Sequence, residues 1–340
     1  MKFLENLYIK VFVNIIVGKE ATSIYIENYV KGSVKDVFED SFETLHFNDK
    51  MLQFINLYIR ETPFFYISIL DMSSSQGAIP SCLKNRIAYY CDTYDLEYKC
   101  QDSKWMNYTA KADLYEIEKK YSQIGIDFVF SSFSLISHFF KDKIDGNIAL
   151  FILMQEEFIS VSVFHNAELL YAQHIVVTVN TQSDGLISVD ESEEELVQED
   201  ELDDGIDLDD IDALDDIESL DDFGDIEDLD SLDEIDEFAD TRDIEEELTE
   251  EAEDEGSPIS DSDGFTEDYH RFSMIQSAVN NFYKDPIYSS QFIETVYIAD
   301  GVGVSGDLKT YLEEEMFLSV YIRRVELTAE VCELAKMELK

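Results

Sequence analysis

Apolar and polar positions open with strand-like spacing. Leu7 to Val17 and Thr22 to Tyr29 read as two strands around the turn Gly18-Lys19-Glu20. Lys31-Gly32-Ser33 predicts a second turn, and the antiparallel meander continues through Val34 to Phe42. The rhythm then changes: Leu52, Ile55, Asn56 and Ile59 share one face of a helix over Met51 to Ile59. Phe64 to Leu70 (FFYISIL) reads as a buried strand, and Ser73 to Pro80 as a loop. A helix over Ala112 to Tyr121 follows, then a short strand from Ile126 to Phe130. Ser131-Ser132 predicts an N-cap for a helix whose stripe is Phe133, Ile136, Phe139 and Phe140. After a loop from Lys141 to Gly146, three strands are expected at Ile148–Met154, Phe158–Phe164 and Glu168–Val177.

The periodicity resumes only near residue 270. Ile275, Ala278, Val279, Phe282 and Tyr283 fall on one helical face. Phe292 to Ile298 reads as a strand ending in the turn Ala299-Asp300-Gly301. Leu308, Tyr311, Leu312 and Met316 mark a helix, Leu318 to Ile322 a strand, and Val331, Leu334 and Ala335 a last helix. A meander followed by alternating helices and strands implies an α/β body in two halves.

Inside the second half, after its three-stranded meander, the composition breaks. Thr181 to Asp268 holds 42 Asp and Glu against one base, Arg242, and so carries −41 of the formal −52. Its apolar residues, from Leu208 and Ile211 to Ile235 and Phe238, recur every third position. A helix drifts off that period by about 60° per repeat, so no continuous apolar side forms. Two readings stay open: a solvated disordered spacer, or short acidic-hydrophobic motifs docking on a basic partner. The charge opposes nucleic acid, and no EF-hand loop is present.

Other chemistry is sparse. The opening MKFLENLYIKVFVNIIVG does not read as a cleaved leader, and no apolar run reaches the length of a membrane span. Cys82, Cys91, Cys100 and Cys332 lack metal-ligand spacing, so reduced thiols are expected. No P-loop, Gly-x-Ser-x-Gly or His-Glu-x-x-His motif occurs. His138 reads as an ordinary helix residue and His165 as part of an exposed hairpin turn, while Trp105 reads equally as core or partner contact.

The order of elements over Gly125–Ile175 and Arg271–Ile322 resembles the actin/Hsp70 superfold, in the branch of the pilus assembly protein PilM and the cytoplasmic domain of the type II secretion L protein. That resemblance implies a two-lobed actin-like (ribonuclease H-like) fold, its second lobe interrupted by a long acidic disordered insert. The implied division is a first lobe at 1–145 with a small subdomain at about 60–125, then 146–180, the insert at 181–268, and 269–340. Nucleotide-binding members carry Asp-x-Gly in two strand hairpins. Here the first hairpin offers Asn14 and Gly18 without an aspartate, and the second offers Gln155, Glu156 and Glu157 without Asp or Gly. The third element is partly kept as Asp300-Gly301.

The expectation is therefore a non-catalytic scaffold with no cofactor, no metal and no nucleic acid. It would sit peripherally at the cytoplasmic face of a bacterial inner membrane, in a pilus, secretion, DNA-uptake or flagellar-motor machine. By the resemblance its partner is the cytoplasmic tail of a PilN-like single-pass protein, held between the core and a subdomain that includes Phe64 to Leu70 and Ala112 to Phe140, and ring or homo-oligomer formation is implied as well. The alternatives are an acidic-tether interaction protein or chaperone, and a working actin-fold ATPase.

Overall fold

A computed structural model describes residues 8–91, 94–177, 261–288 and 290–339. The first lobe is built on strands β1 (Lys10–Val17), β2 (Thr22–Val30), β3 (Ser33–Phe42), β4 (Phe65–Leu70) and β8 (Phe128–Phe130). They form one sheet in the order β3-β2-β1-β4-β8. β1 reads KVFVNIIV and is buried over most of its length, as an interior strand covered on both faces must be. Helix α1 (Asp49–Ile59) starts where the Asn48 side chain accepts from Lys50 N at 3.0 Å and Met51 N at 3.1 Å. It buries Met51 and Ile55 against the sheet.

The chain from 77 to 120 departs most from expectation. Strands β5 (Gly77–Ile79), β6 (Leu96–Gln101) and β7 (Trp105–Ala110) make a separate sheet, ordered β5-β7-β6, with helices α2 (Lys84–Ile87) and α3 (Lys111–Lys120) beside them in sequence. The predicted loop at Ser73–Pro80 thus contains a strand. Phe64 to Leu70 was expected in this subdomain, but β4 pairs with β1 in the core sheet instead. The β6–β7 turn places Asp102 and Ser103 at φ 48° and 60°, conformations usually signalled by Gly or Asn. That hairpin brings Cys82 and Cys100 into a disulfide with Cα atoms 5.7 Å apart, correcting the expectation of thiols at this pair. Trp105 is core, packed edge-on against Phe164 at 5.7 Å.

Helices α4 (Ser132–Phe139) and α5 (Lys141–Ile144) lead into the second lobe, the latter a short helix where a loop was expected. Ser131 caps α4, accepting from Phe133 N at 3.3 Å. Strands β9 (Ala149–Met154), β10 (Phe158–His165), β11 (Glu168–Val176), β12 (Thr295–Asp300) and β13 (Ser319–Arg324) follow, with helices α6 (Asp261–Lys284), α7 (Gly306–Glu314) and α8 (Leu327–Glu338). Their sheet runs β11-β10-β9-β12-β13. Both large sheets therefore have one topology: an antiparallel meander extended by two parallel strands.

The acidic segment interrupts this second lobe, since β11 ends at Val176 and the chain returns in α6. The expectation of disorder lies outside the described residues as far as residue 260. Its far boundary is corrected, because Asp261–Asp268 belongs to α6 and Asp268 is buried. Acidic residues suit a helix N-terminus, so charge counting alone carried the segment too far. Among the described residues no helix is long and apolar enough to cross a membrane.

Helix α8 leaves the second sheet and lies against β1, β4 and β2 of the first. Lys336 Nζ meets Glu27 Oε1 at 2.5 Å, with the two side chains 8% and 4% exposed, and Glu333 Oε1 at 2.7 Å. Burial alone would lower the Lys336 pKa, but the two carboxylates outweigh it and hold it above the usual lysine value. Replacing Lys336 by Met leaves Glu27 buried without its cation, an expected loss of about 3–5 kcal/mol. Urea unfolding of Lys336→Met against wild type measures this, and a loss below about 1 kcal/mol would mean that the pair behaves as a surface ion pair.

Candidate functional site: a cleft between the two lobes

The turns that follow β1, β9 and β12 converge on one open cleft of about 710 Å³. Gly18, Gln155, Glu156, Glu157 and Gly301 line it together. Asn14 and Asp300 do not line it. Asn14 is buried beneath, its amide donating to Tyr25 O at 3.4 Å and its carbonyl accepting from the Ser68 hydroxyl. Asp300 turns its carboxylate into its own loop. There it accepts from Val302 N at 3.0 Å, Gly303 N at 2.8 Å and Val304 N at 3.0 Å.

Three backbone donors, one at each turn, are occupied internally. Gly18 N donates to Ala21 O at 2.8 Å, Gln155 N to Phe158 O at 3.0 Å, and Gly301 N to Met154 O at 3.1 Å. A phosphate cradle needs such amides pointing outward together. Gln155 also lies across Gly301: a Cβ built there would sit 2.1 Å from Gln155 Nε2. The amide of Gln155 thus covers Gly301, whose bare backbone would otherwise let a ligand approach closely.

The lining charge is acidic. Glu20, Glu156, Glu157, Glu267 and Asp268 face Lys19 and Arg271. Arg271, 7% exposed, is held by its own helix, reaching Glu267 at 2.7 Å and Asp268 at 3.3 Å. Asp268 further accepts from the Ser305 hydroxyl. Burial, with Glu156 adding, pushes the Glu157 carboxyl above its ordinary range, against the pull of Lys19. A nucleotide triphosphate entering here meets more carboxylates than cations. Among the described residues no group of three or more His, Cys, Asp and Glu is arranged to hold a metal ion.

Sequence reasoning missed two features. The α6 residues Glu267 and Asp268 were hidden in the acidic run, although their i, i+4 and i, i+3 spacing to Arg271 was available. The second is a buried polar chain joining the lobes. His174 Nδ1 lies 2.8 Å from Ser160 Oγ, which donates to Ser132 Oγ at 2.7 Å; Ser132 donates to Gln76 Oε1 at 2.9 Å. With both hydroxyl protons directed toward Gln76, His174 Nδ1 must donate to Ser160. A Ser–His nucleophile pair needs the opposite polarity, and Ser160 is fully buried. This chain is structural. His138, by contrast, sits as expected on its helix, 3.8 Å from Glu330. His165 ends β10, half-buried.

Comparison with known proteins follows the same division. A family described as Domain of unknown function (DUF8569) matches residues 8–137, and one described as Domain of unknown function (DUF8341) matches residues 150–340, more than half of the chain. The chain belongs to the DUF8341 family. A Bacteroides thetaiotaomicron VPI-5482 protein with actin-like ATPase fold and unknown function is similar along the whole length. It covers 100% of this DUF8341 chain and 99% of its own, at TM-score 0.50 and 10% identity. The fold is therefore actin-like. The PilM-PilN type IV pilus biogenesis complex matches over 48% of this chain and 60% of its own, at TM-score 0.34 and 8% identity. An exopolyphosphatase from Cytophaga hutchinsonii ATCC 33406 matches over 49% and 50%, at TM-score 0.27 and 9% identity. No curated protein matches this sequence.

Burial pushes the His174 pKa down to about 4. The unfolded chain therefore takes up this proton first as pH falls, so the stability tied to neutral His174 is whole above about pH 6.5 and is lost toward pH 4. The expected loss is about 2–3 kcal/mol, absent from His174→Gln, read by urea unfolding across that range. Equal acid sensitivity in both proteins would place the titrating group elsewhere.

Proposed function

We propose that this DUF8341 protein is a non-catalytic actin-fold scaffold whose partner is an extended polypeptide segment. The observation that carries this reading is a groove of about 260 Å³ between the small sheet and the first-lobe core. Its walls come from β6 (Glu97, Tyr98, Lys99), β7 (Asn107, Thr109), α3 (Leu114, Glu118) and the stretch Ile126–Val129. β6 is an outer strand of its sheet and β8 of the other. Each has a partner on one side only, so backbone groups suited to a strand-like guest flank the groove. The apolar lining at Leu114, Ile126 and Phe128 supplies side-chain contacts.

The cleft supports the non-catalytic half of the reading. The amides of Gly18, Gln155 and Gly301 are bonded to backbone carbonyls, Gln155 covers Gly301, and carboxylates outnumber cations. The guest we favour is the cytoplasmic tail of a single-pass inner-membrane protein, of the kind implied by the PilM resemblance. That choice places the protein at the cytoplasmic face of the membrane. In a reducing compartment Cys82, after β5, and Cys100, on β6, would stand as two thiols.

Leu114 is half-buried on a helix with no fully buried side chain, so Leu114→Arg fills the groove while sparing the core. The full chain is expected to recover one single-pass protein from membranes of its own source. Leu114→Arg is expected to lose at least about 90% of that recovery, and a synthetic peptide of the recovered tail to bind only the wild type. Equal recovery by both proteins sinks the groove reading. Excision of Gln182–Ser257, a separate unit of the chain, is expected to leave tail binding intact. Cutting through Asp268 would instead remove a partner of Arg271 and Ser305.

A further inference from the structure

Both large sheets end in an open edge. Among the described residues β13 pairs only with β12, and β3 only with β2. At the two ends of β13, Ser319 N donates to Glu294 O at 2.8 Å and Val325 N to Asp300 O at 2.9 Å. In a parallel ladder alternate residues face the same neighbour. Ser319, Tyr321, Arg323 and Val325 therefore bond toward β12, and Val320, Ile322 and Arg324 turn their N–H and C=O groups outward. β13 has a regular register, without a bulge or proline. β3 has one irregularity at Lys35, leaving Asp36 to Phe42 in regular register.

Natural edges are usually blunted by charge, bulges or covering elements. Here the two edges carry opposite charge. β3 holds Asp36, Glu39 and Asp40 against Lys35, while β13 holds Arg323 and Arg324 and no acid. Arg323 is held by Asp142 at 3.3 Å, but Arg324 is 80% exposed and only 3.6 Å from an equally open Glu326. Apolar side chains accompany both edges: Val34 and Val37 on β3, Tyr321 and Ile322 on β13, all exposed. Two β3 edges, or two β13 edges, bring like charges together, whereas a β3 edge and a β13 edge complement each other.

We propose that the chain assembles head to tail, the β13 edge of one copy adding to the β3 edge of the next. This joins the second-lobe sheet of one subunit to the first-lobe sheet of its neighbour. The contact is heterologous, so it propagates into a ring or an open filament rather than stopping at a dimer. The acidic segment of the same chain is a poorer occupant, because its apolar residues recur every third position and a strand needs every second. The assembly does not depend on the groove between the small sheet and the core.

Sedimentation of the full chain from about 1 to 100 μM tests this, at about 50 mM and 500 mM salt, since complementary charge is screened as ionic strength rises. The expected result is an average mass that climbs with concentration and falls with salt. Ile322→Pro removes an outward N–H without touching the β12 ladder, and Arg324→Glu changes a fully accessible side chain. Asp36→Lys with Asp40→Lys reverses the other edge. Each variant is expected to raise the half-assembly concentration at least about tenfold. Mixing Ile322→Pro with the β3 double variant is expected to stop at particles of two copies, because each contributes one intact edge. A wild type that stays monomeric at about 100 μM overturns the proposal. So does assembly that survives Ile322→Pro and Arg324→Glu, or a β3 double variant that still dimerises alone through two β13 edges.

Discussion

The Glu27–Lys336 pair ties the last helix to the first-lobe sheet. One carboxylate on a first-lobe strand and one ammonium on the last helix of the second lobe meet in an almost dry contact. At the surface such a pair contributes at most about 1 kcal/mol, but here breaking it strands a charge in the core. Tyr25 donates to the same carboxylate at 3.3 Å, and the Lys336 ammonium lies 5.5 Å from the Tyr29 ring centre. The helix that completes the second lobe is thereby fixed on the sheet of the first. Everything placed between the lobes inherits that registration, including the cleft and the buried chain from His174 to Gln76.

The two sheets repeat one topology, and repetition sets two hairpin turns facing each other across the cleft. That arrangement is a generic scaffold, and its chemistry depends on which atoms the turns leave unsatisfied. In this chain the amides of Gly18, Gln155 and Gly301 donate to backbone carbonyls, Asp300 is consumed by three N–H groups, and Arg271 is consumed by its own helix. The binding capacity we propose lies elsewhere, at strand edges that pair on one side only among the described residues. Edges recognise extended polypeptides by main-chain hydrogen bonding, with charge and side-chain fit supplying selectivity. The scaffold role we propose rests on these edges and the groove beside them, not on phosphoryl chemistry in the cleft.

Much of the fold was legible because its strongest signals are local. The run KVFVNIIV, the turn at Lys31-Gly32 and the spacing of Ile275, Ala278, Val279 and Phe282 each encode one element without help from the rest. The small sheet was not legible: β5 is three residues long, and the Asp102–Ser103 turn lacks the glycine or asparagine that marks such hairpins. The start of α6 was obscured because acidic residues at a helix N-terminus look like a continuation of an acidic linker. At the site, the three turns followed from element order. The covering of Gly301 by Gln155, the burial of Asn14 and the Ser160–His174 contact join residues far apart in sequence, and no local pattern reports them.

The central claim is that the cleft has become structural. Calorimetric titration of the full chain with Mg·ATP to about 1 mM tests it most directly, since binding at that level corresponds to about −4 kcal/mol. The account predicts no saturable heat. A saturable isotherm with a Kd below about 1 mM would contradict it, and would mean that Gln155 and the turn amides rearrange to admit phosphate.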